Sequence, residues 1–208
     1  MRLTDTPRPI SIPLNMKTEK STHRGFTLVE LLVVIAIIAV LAAAGFAGGT
    51  AAMNNARRVS AQAVATSIAT AVEQFYTEYS ALPNVSTATP FSTTSADGVR
   101  VLNILAGQET TTPPENARKI RFFSAKEAKG AVPNARDGAT YTGNAFTGLY
   151  DQWGQPYYIV LDTDYDDVLE FTPQGSSLVK LRGRKVAAYS LGVAVPAEAK
   201  ANKLAKSW

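Results

Sequence analysis

Hydrophobic residues are spread unevenly along the chain. From Phe26 to Ala47 the run is almost unbroken, and Thr27 and Glu30 are its only polar positions. As a helix its 22 residues span about 33 Å, enough for the hydrocarbon core of a bilayer. Gly45, Gly48 and Gly49 then interrupt it, each costing about 1 kcal/mol of helix propensity relative to Ala. Apolar positions resume at helical spacing in Met53, Ala56, Val59, Ala63, Ile68, Val72, Phe75 and Tyr79, with Arg57, Arg58 and Glu78 on other faces. Leu82-Pro83 stops this pattern. The expectation is one helix from near Phe26 to about Ser80, apolar all round in its first half and amphipathic in its second. The glycines form a soft point within it.

The pattern after Pro83 is shorter in period. Residues 84–96 read as a polar loop. "DGVRVLNILAG" predicts a short helix, Asp97 to Leu105, with Asp97 as N-cap and Gly107 as stop. "KIRFFSAKEAKG" suggests a strand that passes into a helical turn. Strands follow at Tyr157–Leu161, Val168–Phe171 and Lys185–Ser190, with an acidic turn between the first two. The polar residues at the end read as frayed. The fold class is therefore α+β, a long N-terminal helix packed on a small antiparallel β-sheet domain. The expected division is residues 1–25, 26–47, 48–82 and 83–208.

Charge sharpens the first of these. The net charge is +4, and residues 1–25 hold +3 of it. This basic tail resists translocation, so it orients a membrane segment with the tail in the cytoplasm and the C-terminal domain outside. It gives no case for nucleic acid. Initiation at Met1 and at Met16 both leave a basic leader. With no cysteine, disulfides, thiolate metal sites and Cys nucleophiles are excluded.

Glu30 is the anomaly. The Leu, Ile, Val and Phe residues of the apolar run contribute about −4 to −8 kcal/mol to insertion, against about +2.5 to +3.5 kcal/mol for a central acid. Insertion tolerates the carboxylate without explaining it. A secretory signal peptide cleaved near Ala42–Ala44 is the plainer alternative, but its apolar core is shorter and lacks acids.

The stretch "RGFTLVELLVVIAIIAVLAA", Arg24 to Ala43, resembles the prepilin-type processing and methylation segment of the type IV pilin superfamily. The resemblance implies removal of residues 1–25 by cleavage between Gly25 and Phe26. It also implies N-methylation of Phe26 by a prepilin peptidase/methyltransferase, and assembly into a filament. Glu30 then has a role. Cleavage creates an ammonium at Phe26, and pairing it with a neighbour's Glu30 offsets the cost of two unpaired charges in apolar surroundings. That pairing also fixes axial register, as one buried polar residue does in a coiled coil.

"DQWGQPYYIVLDTDYDD" carries a second resemblance. Asp151, Trp153, Gly154, Pro156 and Tyr157 are similar to the D-x-W-G-x-P-Y segment of major pseudopilins of type II secretion systems. Trp153 and Pro156 are expected to set a tight turn into the following strand. Those proteins carry an Asp-rich calcium loop after a "SLG"-like segment. Here Ser190-Leu191-Gly192 is followed by Val193, Ala194, Val195 and Pro196, so that site cannot be carried over. The acidic cluster Asp162, Asp164, Asp166 and Asp167 is a calcium candidate of its own, since alternate carboxylates suit an oxygen-preferring cation. The alternative is a solvated hairpin turn.

No catalytic constellation is legible. The single histidine, His23, lies in the leader, and phosphate-loop and G-x-S-x-G motifs are absent. The expectation is a non-enzymatic subunit of a type II secretion pseudopilus, in the bacterial inner membrane as a single pass. Its partners are further copies of itself, the prepilin peptidase, the inner-membrane assembly machinery and lipid. Two alternatives stay open: a pilin of a true type IV pilus, and an envelope-binding protein that uses the segment only as an anchor.

Overall fold

The computed structural model describes residues 25–86, 90–192 and 204–208, with the backbone alone at 44, 46–48, 50 and 51. Of the expected leader, only Gly25 lies among them. The chain is α+β and divides into two compact units, residues 1–47 and 48–208.

The first unit holds the start of helix α1, Leu28–Tyr79, which begins two residues later than the apolar run. Every Leu, Ile and Val from Leu28 to Leu41 is exposed in the single chain. A helix apolar on all faces needs lipid or protein around it. Among the described residues, however, no helix is long and apolar enough to cross a membrane.

In the second unit α1 buries Ala61, Ala65, Ile68, Ala69, Val72 and Phe75. This corrects the expected stripe in its first part. Met53 and Val59 are 59% and 65% exposed, and Ala56 and Ala63 are also exposed. The true face starts on alanines, which let the rest of the domain approach the helix closely.

Helix α2, Ala96–Leu105, packs Val101, Leu102, Ile104 and Leu105 into the same core. Its N-cap is Ser95, not Asp97: the Ser95 hydroxyl accepts from Gly98 N at 3.2 Å. Asp97 is a buried acid of the first turn that accepts from the Ser86 N–H and hydroxyl. Gly107 ends the helix as expected, at φ +69°, where an added Cβ would lie 2.6 Å from the Lys119 carbonyl oxygen.

Strands β1 (Phe91–Ser92), β4 (Tyr157–Leu161), β7 (Val186–Ser190) and β8 (Ala205–Lys206) form one antiparallel sheet in the order β1-β4-β7-β8. β2 (Gly138–Thr142) pairs with β3 (Ala145–Tyr150), and β5 (Val168–Phe171) with β6 (Val179–Arg182). So the acidic turn does not close a hairpin: β4 pairs with β7, and β5 with β6. The region expected to be strand then helical turn, residues 119–130, is irregular; it meets β2 through the isolated bridge Glu127↔Ala139 and through the Tyr141 hydroxyl, which donates to the Ala125 carbonyl at 2.6 Å.

The β4–β7 pair is buried on both faces. Tyr157, Ile159, Leu161, Val186 and Ala188 join α1 and α2 in the larger core. Val160, Ala187 and Tyr189 face a second core with Leu169, Phe171 and Leu204. There the Tyr189 ring stacks on Tyr158 at 5.2 Å and Phe171 at 5.8 Å, and Trp208 meets Phe171 edge-on at 5.5 Å. The chain end is therefore not frayed from Leu204 onward.

One buried amide organises the irregular chain after α2. Asn116 Nδ2 donates to the carbonyls of Ile104 and Ile120, both at 2.7 Å. Its Oδ1 accepts from the Tyr79 hydroxyl at 2.8 Å and Ile120 N at 3.0 Å.

Candidate functional site

Gly25 and Phe26 precede the first turn of α1 and are exposed, Phe26 by 73%. An added Cβ at Gly25 would meet nothing within 4 Å. The helix start is a capping box. Glu30 Oε2 accepts from Thr27 N at 2.9 Å and the Thr27 hydroxyl at 2.8 Å, while Thr27 Oγ1 accepts from Glu30 N at 3.2 Å. Thr27 was not singled out from the sequence, although the T-x-x-E spacing carries the signal. It fixes the rotamer of Glu30 and directs both bonds to Oε2.

The D-x-W-G-x-P-Y segment is the connection from β3 to β4. Asp151, not Trp153 or Pro156, shapes it. Its Oδ1 accepts from Trp153 N and Gln155 N, each at 2.8 Å, and its Oδ2 accepts from the Ser190 hydroxyl. Gly154 closes the turn at φ +85°. Trp153 packs half-buried against the larger core, Pro156 bridges back to Tyr150, and Tyr157 is fully buried at the start of β4. Burial pushes the Asp151 carboxyl above the usual carboxylate range, against the opposing effect of Ser190 and the turn amides. Ser190 Oγ also accepts from Gly192 N at 3.0 Å, so the "SLG" segment and the D-x-W-G turn form one unit. Val193 to Pro196 lie outside the described residues.

Beside this turn Gln152 Nε2 donates to Asp137 and, at 3.2 Å, to the Ser60 hydroxyl on α1. Lys126 and Lys129 pair with Asp137 at 2.6 and 3.1 Å. Burial raises the Asp137 carboxyl, but the two ammonium groups outweigh it and leave it below its usual range.

The acidic turn separates its four aspartates. Asp162, Asp164 and Asp166 bring carboxylate oxygens within 4.8 Å of one another. Asp167 is drawn away to Lys185 Nζ at 2.8 Å. The three supply part of the six to eight oxygens that calcium takes. Asp162 already accepts from Asp166 N and Asp167 N, at 3.2 and 3.1 Å, and Asp166 from Val168 N at 2.8 Å. Burial first, and the adjoining Asp164, push the Asp162 carboxyl upward.

Residues 20–46 match the family model of the prokaryotic N-terminal methylation motif. That motif is the one of type IV pilin-like precursors, which prepilin peptidase processes. The chain matches no curated protein and no solved structure.

Proposed function

We propose that the chain is the precursor of a type II secretion pseudopilus subunit. The methylation motif at residues 20–46 supports a prepilin-type precursor, and the resemblance of Arg24 to Ala43 to a prepilin segment implies cleavage between Gly25 and Phe26. The exposure of both residues ahead of α1 supports access by a membrane peptidase. Cleavage leaves an ammonium at Phe26, one residue before the Thr27–Glu30 box. The apolar segment 26–47 anchors the subunit in the inner membrane, with residues 48–208 outside the cytoplasm, and other subunits replace lipid around it on assembly. Glu30 of one subunit then receives the Phe26 ammonium of the next. The D-x-W-G-x-P-Y turn favours a secretion pseudopilus over an adhesive or motile pilus.

Two measurements test this. Mass spectrometry of the membrane-extracted protein should find an N-methylated Phe26 at the N-terminus; an N-terminus near Gly45 restores the signal peptide. Deletion of the gene should leave secreted proteins in the periplasm. Normal secretion with loss of surface pili favours the pilus alternative.

A further inference from the structure

Three aromatic side chains from different parts of the second unit meet beside α1. Phe123 of the irregular segment, Tyr150 at the end of β3 and Tyr157 at the start of β4 line a cleft of about 410 Å³, with Val64 on the helix side. That size suits a small organic molecule. Phe123, Tyr157 and Leu149 of the same wall are buried, Tyr157 to 1% exposure.

Tyr157 is unusual among them. Its backbone is engaged: the N–H donates to the Thr93 hydroxyl at 3.1 Å, and the carbonyl accepts from Thr93 N at 2.8 Å. Among the described residues its hydroxyl has no hydrogen-bond partner, whereas a buried phenol ordinarily finds one. Arg100 Nε is the one side-chain nitrogen or oxygen among those residues that is both fully enclosed and unpartnered. The Tyr157 hydroxyl is therefore not sealed in, and the open space beside its ring is the cleft. It keeps its proton, because burial first, and then the Asp151 and Asp137 charges, push the phenol upward. The only charged residues of the wall are Lys126 and Asp137, and they pair with each other.

We propose that this cleft binds a small uncharged ring compound whose oxygen, a carbonyl or an ether, accepts from the Tyr157 hydroxyl. The ring gains burial against Phe123, Tyr150 and Leu149, and the oxygen satisfies the one donor left open. An anion would meet Asp137, and a cation would have to displace Lys126 and Lys129 from it. The site lies wholly within the second unit and does not depend on processing at Gly25.

Benzophenone, with two aromatic rings, one carbonyl and no charge, is the test molecule. The full chain in detergent is irradiated with it, and the labelled positions are mapped by mass spectrometry. Label is expected on Val64 and Leu149, measured relative to label on the exposed apolar run from Leu28 to Leu41. Tyr157→Phe should leave the melting temperature unchanged or higher, because no partner is lost. It should lower cleft label roughly fivefold, the worth of one neutral hydrogen bond. Val64→Trp should abolish cleft label by filling the space. The carboxylate analogue, para-benzoylbenzoate, should label the cleft less than benzophenone does. Four results would each overturn the proposal: label confined to the apolar run, cleft label undiminished in Tyr157→Phe, a lowered melting temperature in that variant, or stronger cleft label from the carboxylate.

Discussion

Thr27 holds the Glu30 carboxylate in a reciprocal box, with both Thr27 donors on Oε2. Glu30 therefore has a task within its own subunit besides the one proposed between subunits. Thr27→Ala should cost about 1 kcal/mol at the helix start, read as roughly fivefold faster amide exchange in the first turn. Thr27→Ser should restore it. Glu30→Val should leave membrane insertion intact, since it removes a polar cost, and should abolish filaments in a shear assay. Glu30→Asp should be intermediate. Normal filaments from Glu30→Val would remove the register role.

Asp151 should matter more to stability than the aromatic residue beside it. Asp151→Ala leaves two turn amides and the Ser190 hydroxyl without their acceptor, at about 1–3 kcal/mol for each buried group left unpaired. Chemical denaturation should show a loss of several kcal/mol. The pH dependence has a defined sign. Because burial raises the folded carboxyl above its ordinary value, the native state holds the proton longer than the unfolded chain. This contribution is full below the unfolded pKa and declines as pH rises through the raised folded value. Asp151→Asn should flatten that part of the curve.

The acidic turn separates two outcomes by sign. Without an ion, Asp164→Asn removes a like charge beside Asp162 and should stabilise by a few tenths of a kcal/mol. With calcium bound, the same change removes a ligand and should destabilise. Thermal melts of the wild type and the variant, with and without millimolar calcium, distinguish them. A turn that binds no ion gives superimposable wild-type melts.

Gly45, Gly48 and Gly49 lie inside α1, and a Cβ at Gly45 or Gly49 would meet nothing within 4 Å. Replacing all three by Ala adds about 3 kcal/mol of helix propensity. Amide exchange through residues 45–52 should slow by more than tenfold, and assembly should change. Unchanged exchange would mean that the glycines do not loosen the helix.

The extent of α1 was legible because the apolar run and the later helical spacing are long, and Leu82-Pro83 ends them. Its buried face was not, because Ala61 and Ala65 carry too little side chain to compete with Met53 and Val59 as markers. The cap of α2 was placed at Asp97, two residues late: Ser95 is the cap, and Asp97 is engaged by the Ser86 donors instead. β2 and β3, "GATYT" and "AFTGLY", lack the alternation of large apolar residues that marks a strand. β8 is two residues long, and what holds it is distant in sequence: it pairs with Tyr189 and Ser190 of β7, and Trp208 beside it meets Phe171 and Tyr189. At the site, Glu30 stood out as a carboxylate in an apolar run, and Gly25 and Phe26 only through the resemblance to a prepilin segment. The role of Asp151 depends on Ser190, which no local pattern links to it.

The four bonds of Asn116 have a consequence for the order of folding. They join Tyr79, Ile104 and Ile120, so the amide cannot be satisfied until α1 and α2 are both formed and placed. Closing that distance is an entropic cost met late. Asn116 should thus have a φ-value near zero: Asn116→Ala should speed unfolding and leave the refolding rate almost unchanged. On that expectation the segment around Asn116 is fastened late in folding and released early in unfolding.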